Sequence, residues 1–502
     1  MTSPPRSPEP AAPHVVVVGA GPTGLLLAGD LAAAGIAVTV LEKRPEGVSN
    51  LTRAFGVHAR TLELLDARGL ADELIGTGQV IEELRLFGSV PFDISRLPSH
   101  HPLLLVTPQY EVERLLLRRA LRHGAVFRHD TEVHGVEQDA DGVTVSIRSA
   151  GTESSLRADY AVGADGVRST VRAAAGIPFP GRSVIRSVLL ADVRLAREPQ
   201  LTVRVEGGDG AFGFIAPFGD GYWRVGGWTR AGRDLPDSAP VEFEDLRSIT
   251  ERAFGTDYGM HDVRWIARYH SDERQAPRYR AGRILLAGDA AHQHSPAGGQ
   301  GMNTGLQDAV NLGWKLAAVL GGWAPDTLLD SYHAERHPVG RAVLRSSGLN
   351  LRLAMAHNPV EVALRLLRTW VVKHVPAVSR KAIGEITGIG YRYPAPRGAH
   401  RSVGERVPDQ PLADGRLYRA LRAGKFVLVL PKGAAFDPAG REDRLLVAHH
   451  PDDRPAPRLV RPDGHLAWTA DRMDGDAVEA AVRQWTGPRT LASATVREEV
   501  SS

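Results

Sequence analysis

Near its start the chain reads His14-Val15-Val16-Val17-Val18-Gly19-Ala20-Gly21-Pro22-Thr23-Gly24, and this stretch restricts its folding more than any other. A β-branched apolar run of strand length feeds straight into three glycines spaced GxGxxG. Residues 25–34 then read as a helix, and Ala37-Val38-Thr39-Val40-Leu41 forms a second apolar run ending in the acid Glu42. This is βαβ order with a dinucleotide fingerprint at its first turn. Gly19 permits the tight turn, Gly21 lets the backbone approach a pyrophosphate, and Gly24 lets helix and strand pack closely. The helix N-terminus offers free N–H groups to the phosphates. Glu42 can accept hydrogen bonds from ribose hydroxyls, which favours FAD or NAD over NADP at this turn. A lone glycine-rich turn carries little weight; here strand, turn, helix, strand and acid agree.

The composition restricts the chemistry further. With no cysteine in 502 residues there is no disulfide, thiolate nucleophile, CxxC pair, thiolate-held iron–sulfur cluster or Cys-ligated zinc, so redox chemistry falls to a bound cofactor. The length exceeds one core and predicts two to four domains at about 100–200 residues each. Basic and acidic residues number 61 and 58, a net charge of +3. Lysine occurs only at Lys43, Lys315, Lys373, Lys381, Lys425 and Lys432, so an arginine-rich coding bias accounts for the balance as well as an anionic partner would. No basic run interleaves with aromatics, and no nucleic-acid partner is expected. No stretch approaches the ~18 apolar residues of a membrane span. Residues 1–13 are rich in Pro, Ser and Glu and lack a signal peptide's apolar segment, which reads as a flexible tail on a cytoplasmic protein.

Downstream the βα alternation fades. Pro108-Gln109-Tyr110 opens a helix over 111–122, and alternating runs at 131–136 and 143–148 flank Asp141-Gly142 as a hairpin. Tyr160-Ala161-Val162-Gly163-Ala164-Asp165-Gly166 reads as an apolar strand and loop. Strand-like runs at 188–193, 201–205, 212–217 and 222–228 predict a mostly antiparallel sheet forming a second layer. Arg283-Ile284-Leu285-Leu286-Ala287-Gly288-Asp289 is another buried-strand pattern, followed by a glycine-rich loop over 296–303 and an apolar helix over 306–320. A helical region extends to about 389, with one helix end expected at Arg336-His337-Pro338. After a Pro-rich linker at 391–397, strands at 426–430, 445–448 and 459–468 and a helix at 476–485 form a small third α/β unit.

The glycine turn, the Asp165-Gly166 loop and the Gly288-Asp289 loop, in that order, resemble the three motifs of the class A flavoprotein monooxygenases, which share the fold of p-hydroxybenzoate hydroxylase. The likeness spans about 14–350. Arg53-Ala54-Phe55-Gly56-Val57-His58-Ala59-Arg60-Thr61 and Gly298-Gly299-Gln300-Gly301-Met302-Asn303 are similar to segments of the aromatic hydroxylases that tailor bacterial polyketides. The C-terminal unit resembles that subgroup's thioredoxin-like domain, which commonly lacks the redox cysteines. The resemblance implies an α/β fold with a Rossmann-like FAD-binding domain over 14–183 and 270–390. It adds an antiparallel substrate sheet over 184–269, with a contribution from near 75–108, and a thioredoxin-like domain over 391–502.

Carried over by position, Gly19, Gly21 and Gly24 would hold the FAD pyrophosphate and Glu42 the adenosine ribose, with Lys43 near the adenine. Gln109 would contact the flavin's sugar-like chain, Asp289 the ribityl hydroxyls, and Asp165 belongs to the second cofactor motif. Gly299, Gln300, Gly301, Met302 and Asn303 would pass backbone N–H groups under the flavin's pyrimidine edge, with Pro296 beside the ring; a helix N-terminus there would stabilise negative charge on reduced flavin. Arg53 and Arg60 match positions near the flavin, Arg53 with a positioning or gating role, and either could instead be a surface charge. Phe212, Phe214, Trp223 and Trp228 lie on the proposed substrate sheet, each as able to be core as pocket lining.

In the family's chemistry NAD(P)H reduces FAD, O2 adds to give a C4a-hydroperoxide, and the distal oxygen passes to an electron-rich ring carbon. No side-chain nucleophile is required. The resemblance therefore implies an NAD(P)H- and O2-dependent hydroxylase of a small polycyclic aromatic, a polyketide, working as a monomer or homodimer. Baeyer–Villiger insertion, antibiotic N-hydroxylation, oxidation without oxygen transfer, and a non-catalytic FAD-binding partner remain open. His292 and His294 have a spacing that could hold a metal, but no third ligand is evident and no metal is expected.

Overall fold

The structure, a computed structural model, describes residues 12–47, 54–86, 90–208, 210–232, 235–236, 238–295, 299–354, 359–453 and 455–489. Arg53 and Pro296 lie outside the described residues.

The first apolar run is the central strand of a six-stranded sheet. Strand His14–Val18 pairs in parallel with Ala37–Leu41 on one side and with Tyr160–Gly163 on the other. Val126–Arg128 extends the first edge, and Ile284–Leu286 the second, both in parallel. Only the outermost strand, Arg280–Ala281, is antiparallel. Strands buried on both faces read as continuous apolar runs, which is how His14–Val18 and Ile284–Leu286 read. Their side chains form one core with Leu25, Leu26 and Leu27 of helix Pro22–Ala33 and with Leu306, Val310 and Leu312 of helix Gly301–Leu320.

The second layer is fully antiparallel. Its order is Arg204–Gly208, Ala211–Pro217, Trp223–Thr229, Gly181–Leu195, Met260–Gln275 and His292–Gln293. Gly181 pairs with Arg274 and Gln275 with His292, so the sheet runs past both expected edges of 184–269. The strand expected over 201–205 falls at Arg204–Gly208. Residues 75–108 supply Leu104–Val106, paired with Gly56–Val57 and Gln79–Ile81, and a hairpin of Glu83–Leu86 with Val90–Asp93 lying against Arg204–Gly208.

One sequence expectation fails here. Helix Asp330–Ala354 continues through Pro338 rather than ending there. Proline removes one helix hydrogen bond, but Arg336 two residues earlier is fully buried, with Nε on Asp308 at 2.6 Å and Nη2 on the Thr304 carbonyl at 3.1 Å. Tertiary anchoring outweighs the local preference to stop.

The C-terminal unit is a four-stranded sheet in the order Leu445–His449, Phe426–Leu430, Arg458–Val460, Leu466–Thr469, with the first pair parallel and the others antiparallel. Helix Gly475–Thr486 covers it through Val478 and Val482, and Trp314 and Ala318 of helix Gly301–Leu320 enter the same core. A buried ionic network reinforces this contact. Arg461 meets Glu335 at 2.7 and 2.8 Å and Asp463 at 2.5 Å, while Lys315 Nζ reaches Glu335 at 2.7 Å. Arg60 belongs to the same interface. Its guanidinium donates to Glu63 at 3.0 Å, the Tyr418 hydroxyl at 2.7 Å and the Asp463 carbonyl at 2.5 Å, so it points away from the cofactor side where its motif position had placed it.

The network carries a pH dependence. Burial alone would raise the Glu335 carboxyl, but Arg461 and Lys315 outweigh burial and hold it at about 2, below its ordinary 4.5. A carboxylate depressed on folding stabilises above its unfolded pKa and loses that contribution as pH falls through its folded one. The thermal transition is expected to be level from about pH 7 to about pH 5 and to fall between about pH 4.5 and about pH 2, with Glu335→Gln flattening part of the decline in a pH series of melting curves.

Candidate active site

Two helix N-termini open into one cavity. Helix Pro22–Ala33 starts after Gly21 and helix Gly301–Leu320 after Gln300; neither has a side-chain cap or an acidic residue in its first turn. Helix Phe243–Phe254, by contrast, closes its start with a Glu242 and Asp245 capping box. Uncapped N–H groups with positive dipole ends are anion sites. The cavity, about 420 Å³, is lined at one end by Gly21, Pro22 and Thr23 and at the other by Gly299, Gln300, Gly301 and Met302.

Backbone contacts set its first end. A Cβ on Gly24 would sit 2.0 Å from the Gly19 carbonyl oxygen, and one on Gly19, at φ +103°, would sit 2.4 Å from the Ala164 carbonyl oxygen. Around Gly21 and Gly301 a Cβ would meet nothing within 4 Å, so those two glycines face open space. Glu42 closes the second strand with its carboxylate buried, accepting from Ala20 N–H at 2.8 Å and from the Arg44 backbone and Nε at 2.9 and 3.0 Å. Lys43 is exposed beside it.

Of the Asp165-Gly166 loop, Gly166 and Val167 line the cavity, while Asp165 turns back to accept from Val171 N–H at 3.1 Å, ordering helix Thr170–Ala174. Gln109 lines the cavity with its amide pinned between the Ala54 N–H at 3.1 Å and Glu113 at 2.8 Å. Asp289 lines it from a short 3-10 turn, Gly288–Ala290. Asn303 stands behind the Gly299 loop and holds it: Oδ1 accepts from His58 N–H, and Nδ2 donates to the Gly56 and Gly299 carbonyls, all at 2.9 Å.

The opposite wall is the antiparallel sheet. Phe212, Phe214 and Trp228 line the cavity, with Phe212 stacked on Trp228 at 4.1 Å and Phe214 facing Phe55 at 6.0 Å. Trp223 does not. It packs with Leu246 and Ile249 in the cluster on the other face. Side chains alternate along a strand, so Trp223 and Trp228, an odd number of positions apart, must face opposite ways.

Two functional positions carried no assigned role in the sequence. His58 lines the cavity and its Nδ1–H donates to the Ile386 carbonyl at 2.6 Å; burial pushes its pKa down to about 4, so the ring is neutral and Nε2 is a hydrogen-bond acceptor. Asp308, fully buried on helix Gly301–Leu320, accepts from the Gly288 N–H at 3.1 Å, His292 Nε2 at 2.5 Å and Arg336 Nε at 2.6 Å. It ties the Asp289 turn, the last sheet strand and helix Asp330–Ala354 together. A carboxylate amid the apolar run Thr304-Gly305-Leu306-Gln307-Asp308-Ala309-Val310 was the available signal. Among the described residues no group of three side chains is arranged to hold a metal, and His292 is accounted for by Asp308.

These features fit FAD: two uncapped helix starts, one for a pyrophosphate and one for an electron-rich ring edge, joined by a cavity whose far wall is aromatic. Comparison with known proteins agrees. The chain matches the FAD binding domain family over residues 13–347 and the C-terminal domain family of aromatic-ring hydroxylases over 400–488. It is 41% identical over 515 residues to the 12-dehydrotetracycline 5-monooxygenase/anhydrotetracycline 6-monooxygenase of Streptomyces rimosus, covering 95% of this chain and 99% of that protein. To the rifampicin monooxygenase of Streptomyces venezuelae it is 39% identical over 483 residues, with the same coverage. The solved anhydrotetracycline hydroxylase from Streptomyces rimosus superposes with a TM-score of 0.84 at 39% identity, covering 95% of this chain and 99% of that one. The chain therefore belongs to the class A flavoprotein monooxygenases and is an FAD-dependent monooxygenase of the aromatic-ring hydroxylase family.

Proposed function

We propose that this protein hydroxylates a polycyclic aromatic of polyketide type, using NAD(P)H and O2. The observation that carries the substrate class is the wall built from Phe55, Phe212, Phe214 and Trp228. Paired aromatic faces accept a flat fused-ring molecule by offset stacking, and large rigid side chains exclude water from the space between ligand and flavin. Bound FAD supplies electron transfer from NAD(P)H and activation of O2. The chain's own part is to bind, orient and keep the site dry.

In this reading the N–H groups at Gly21 and Thr23 hold the pyrophosphate, with Gly19 and Gly24 setting their position, and Glu42 takes the ribose with Lys43 beside the adenine. Gln109 and Asp289 hold the sugar-like chain. Backbone N–H groups from Gly299 to Asn303 stabilise charge on the pyrimidine edge, where a helix N-terminus is most effective. Asp165 contributes indirectly, by placing Gly166. The flavin domain takes in about 14–183 and 270–390 and the substrate layer about 184–269, with the outer strands of its sheet running on to Gly181, Gln275 and His292–Gln293 and the hairpin near 83–93 against its edge. The strand order of the C-terminal unit, with a parallel first pair followed by two antiparallel additions and a covering helix, supports a thioredoxin-like shape. Without cysteine it has no dithiol chemistry. Among the described residues no helix is long and apolar enough to cross a membrane; the need for NAD(P)H supports a cytoplasmic enzyme.

The test is a product mass. With anhydrotetracycline as probe, NADPH or NADH, and O2, the expected product is heavier by one oxygen, drawn from 18O2 rather than from water. Reductant consumed with only hydrogen peroxide formed, or a product of unchanged mass, across anhydrotetracycline, rifampicin and simple hydroxyanthraquinones would reject hydroxylation.

A further inference from the structure

His58 stands at the start of helix Ala59–Asp66, only 5% exposed, and what it exposes lines the cavity. Its Nδ1 lies 2.6 Å from the Ile386 carbonyl, and a carbonyl can only accept, so that nitrogen carries the proton. Burial keeps the ring neutral, which leaves Nε2 as a bare acceptor. Ile386 belongs to the last turn of helix Pro376–Thr387, where backbone oxygens lack helix partners and form the negative end of the dipole. That helix end cannot easily recede. A Cβ on Gly388 would sit 2.9 Å from Gln307 Nε2 and 3.2 Å from the Arg60 Cβ, so the ring of His58 is held from behind. Among the described residues Nε2 meets no donor, and it stands 3.7 Å from where a Gly299 Cβ would be. A buried acceptor without a donor is costly, and at the wall of a cavity it marks the place of a donor on a ligand.

The other acceptors around the Gly299 loop are engaged. The Gly56 and Gly299 carbonyls each accept from Asn303 Nδ2 at 2.9 Å, and Asn303 Oδ1 takes the His58 N–H. The Gln300 carbonyl accepts from Thr304 N–H at 2.8 Å and from its hydroxyl at 2.9 Å. The Ala54 and Phe55 carbonyls take the Gln109 and Thr107 N–H groups at 3.0 and 2.9 Å. What the loop itself offers a ligand is N–H groups at an uncapped helix start. A flavin's pyrimidine edge needs more than that. Its two carbonyl oxygens accept, but the N3–H between them donates, and a wall of donors alone would leave that N–H unpaired.

We propose that His58 Nε2 accepts the N3–H of the flavin's pyrimidine ring and so fixes that edge over the Gly299 loop. This rests on the reading that the loop holds the pyrimidine edge. Backbone N–H groups alone let a carbonyl oxygen slide between them, whereas an imidazole nitrogen locked by Ile386 specifies one position and one register. The same contact ties flavin placement to the end of helix Pro376–Thr387, far along the chain from the glycine turn.

The test compares FAD with 3-methyl-FAD, in which a methyl group replaces the N3 hydrogen, titrated into the full-length chain freed of flavin. Wild type is expected to bind FAD at least about 10-fold more tightly than the methylated flavin. His58→Ala should bind FAD roughly 5–10-fold more weakly and lose most of that preference, because the acceptor is gone and the methyl finds space. His58→Gln, which offers an amide oxygen, should recover part of it. The preference is a ratio, so a fraction of unfolded variant leaves it unchanged. In wild type loaded with FAD carrying 15N at N3 and with 15N-labelled histidine, a coupling across an N–H···N bond should join N3 to one histidine nitrogen. Equal wild-type affinity for the two flavins would overturn the proposal together with the reading beneath it, since the pyrimidine edge would then be unenclosed. A preference that persists in His58→Ala, equal weakening of both flavins, or an N3–H signal without coupling to histidine would overturn the proposal alone. So would an unchanged ratio with a raised KM for the aromatic substrate, which would give Nε2 to a substrate hydroxyl instead.

Discussion

Gly24→Ala is expected to yield protein that binds FAD at least about 100-fold more weakly, a loss of about 2.7 kcal/mol, and that purifies largely colourless. The added methyl would lie 2.0 Å from the Gly19 carbonyl oxygen and 3.4 Å from the Ala164 Cβ. Neither can easily recede, because Gly19 N–H donates to the Leu41 carbonyl and Ala164 N–H to the Val18 carbonyl, both at 2.8 Å. The helix start must lift away from the strand, and with it the N–H groups proposed to hold the pyrophosphate. Gly21→Ala separates the two effects. Its φ of −77° suits any residue and its Cβ would touch no protein atom, so the folded chain should keep its melting temperature without cofactor and still lose FAD. Flavin absorbance per protein, FAD titration and melting of the cofactor-free proteins read these outcomes. Full FAD affinity in both variants would remove the glycine turn from the cofactor site.

Asp308→Ala is expected to destabilise the fold by about 3–5 kcal/mol, because it leaves a buried cation uncompensated. Burial would raise the Asp308 carboxyl, but His292 and Arg336 dominate and keep it at about 2. Without it, the fully buried Arg336 guanidinium retains only neutral partners, the Tyr393 hydroxyl and the Thr304 carbonyl. The Gly288 N–H loses its acceptor too, so the Asp289 turn should loosen and FAD retention fall with stability. Asp308→Asn, which keeps an acceptor but no charge, should lie between. Melting temperature and flavin content measured together check this, and an alanine variant as stable as the wild type would show that the three donors do not depend on the carboxylate.

How far the chain could be read without its structure differs from residue to residue. The βαβ unit was legible because its requirements are local: a β-branched run extends, Gly19 adopts φ +103°, and nothing but glycine fits at Gly24. The same holds for Ile284–Leu286 and the glycine-rich helix start at Gly301. The pocket wall was half legible. Phe212, Phe214, Trp223 and Trp228 were visible as strand aromatics, but which face they occupy is set by what packs there. Helix Phe243–Phe254 lies on the Trp223 side, and the cavity opens on the Trp228 side.

Charged residues were least legible. Arg60 sits within a motif associated with the cofactor, yet it binds the Asp463 carbonyl 403 positions away. Asp308 carried no assigned role and Arg336 looked like a helix end; together they form a buried pair that carries the helix through Pro338. By itself the sequence determined the parts decided by nearest neighbours: backbone sterics at the glycines, the period of each apolar run, and the absence of any thiol. Tertiary structure alone decided which face of the sheet meets the cavity and which distant carboxylate neutralises each buried arginine. A buried charge takes whichever partner the packed fold brings within reach, and local spacing holds no record of that choice.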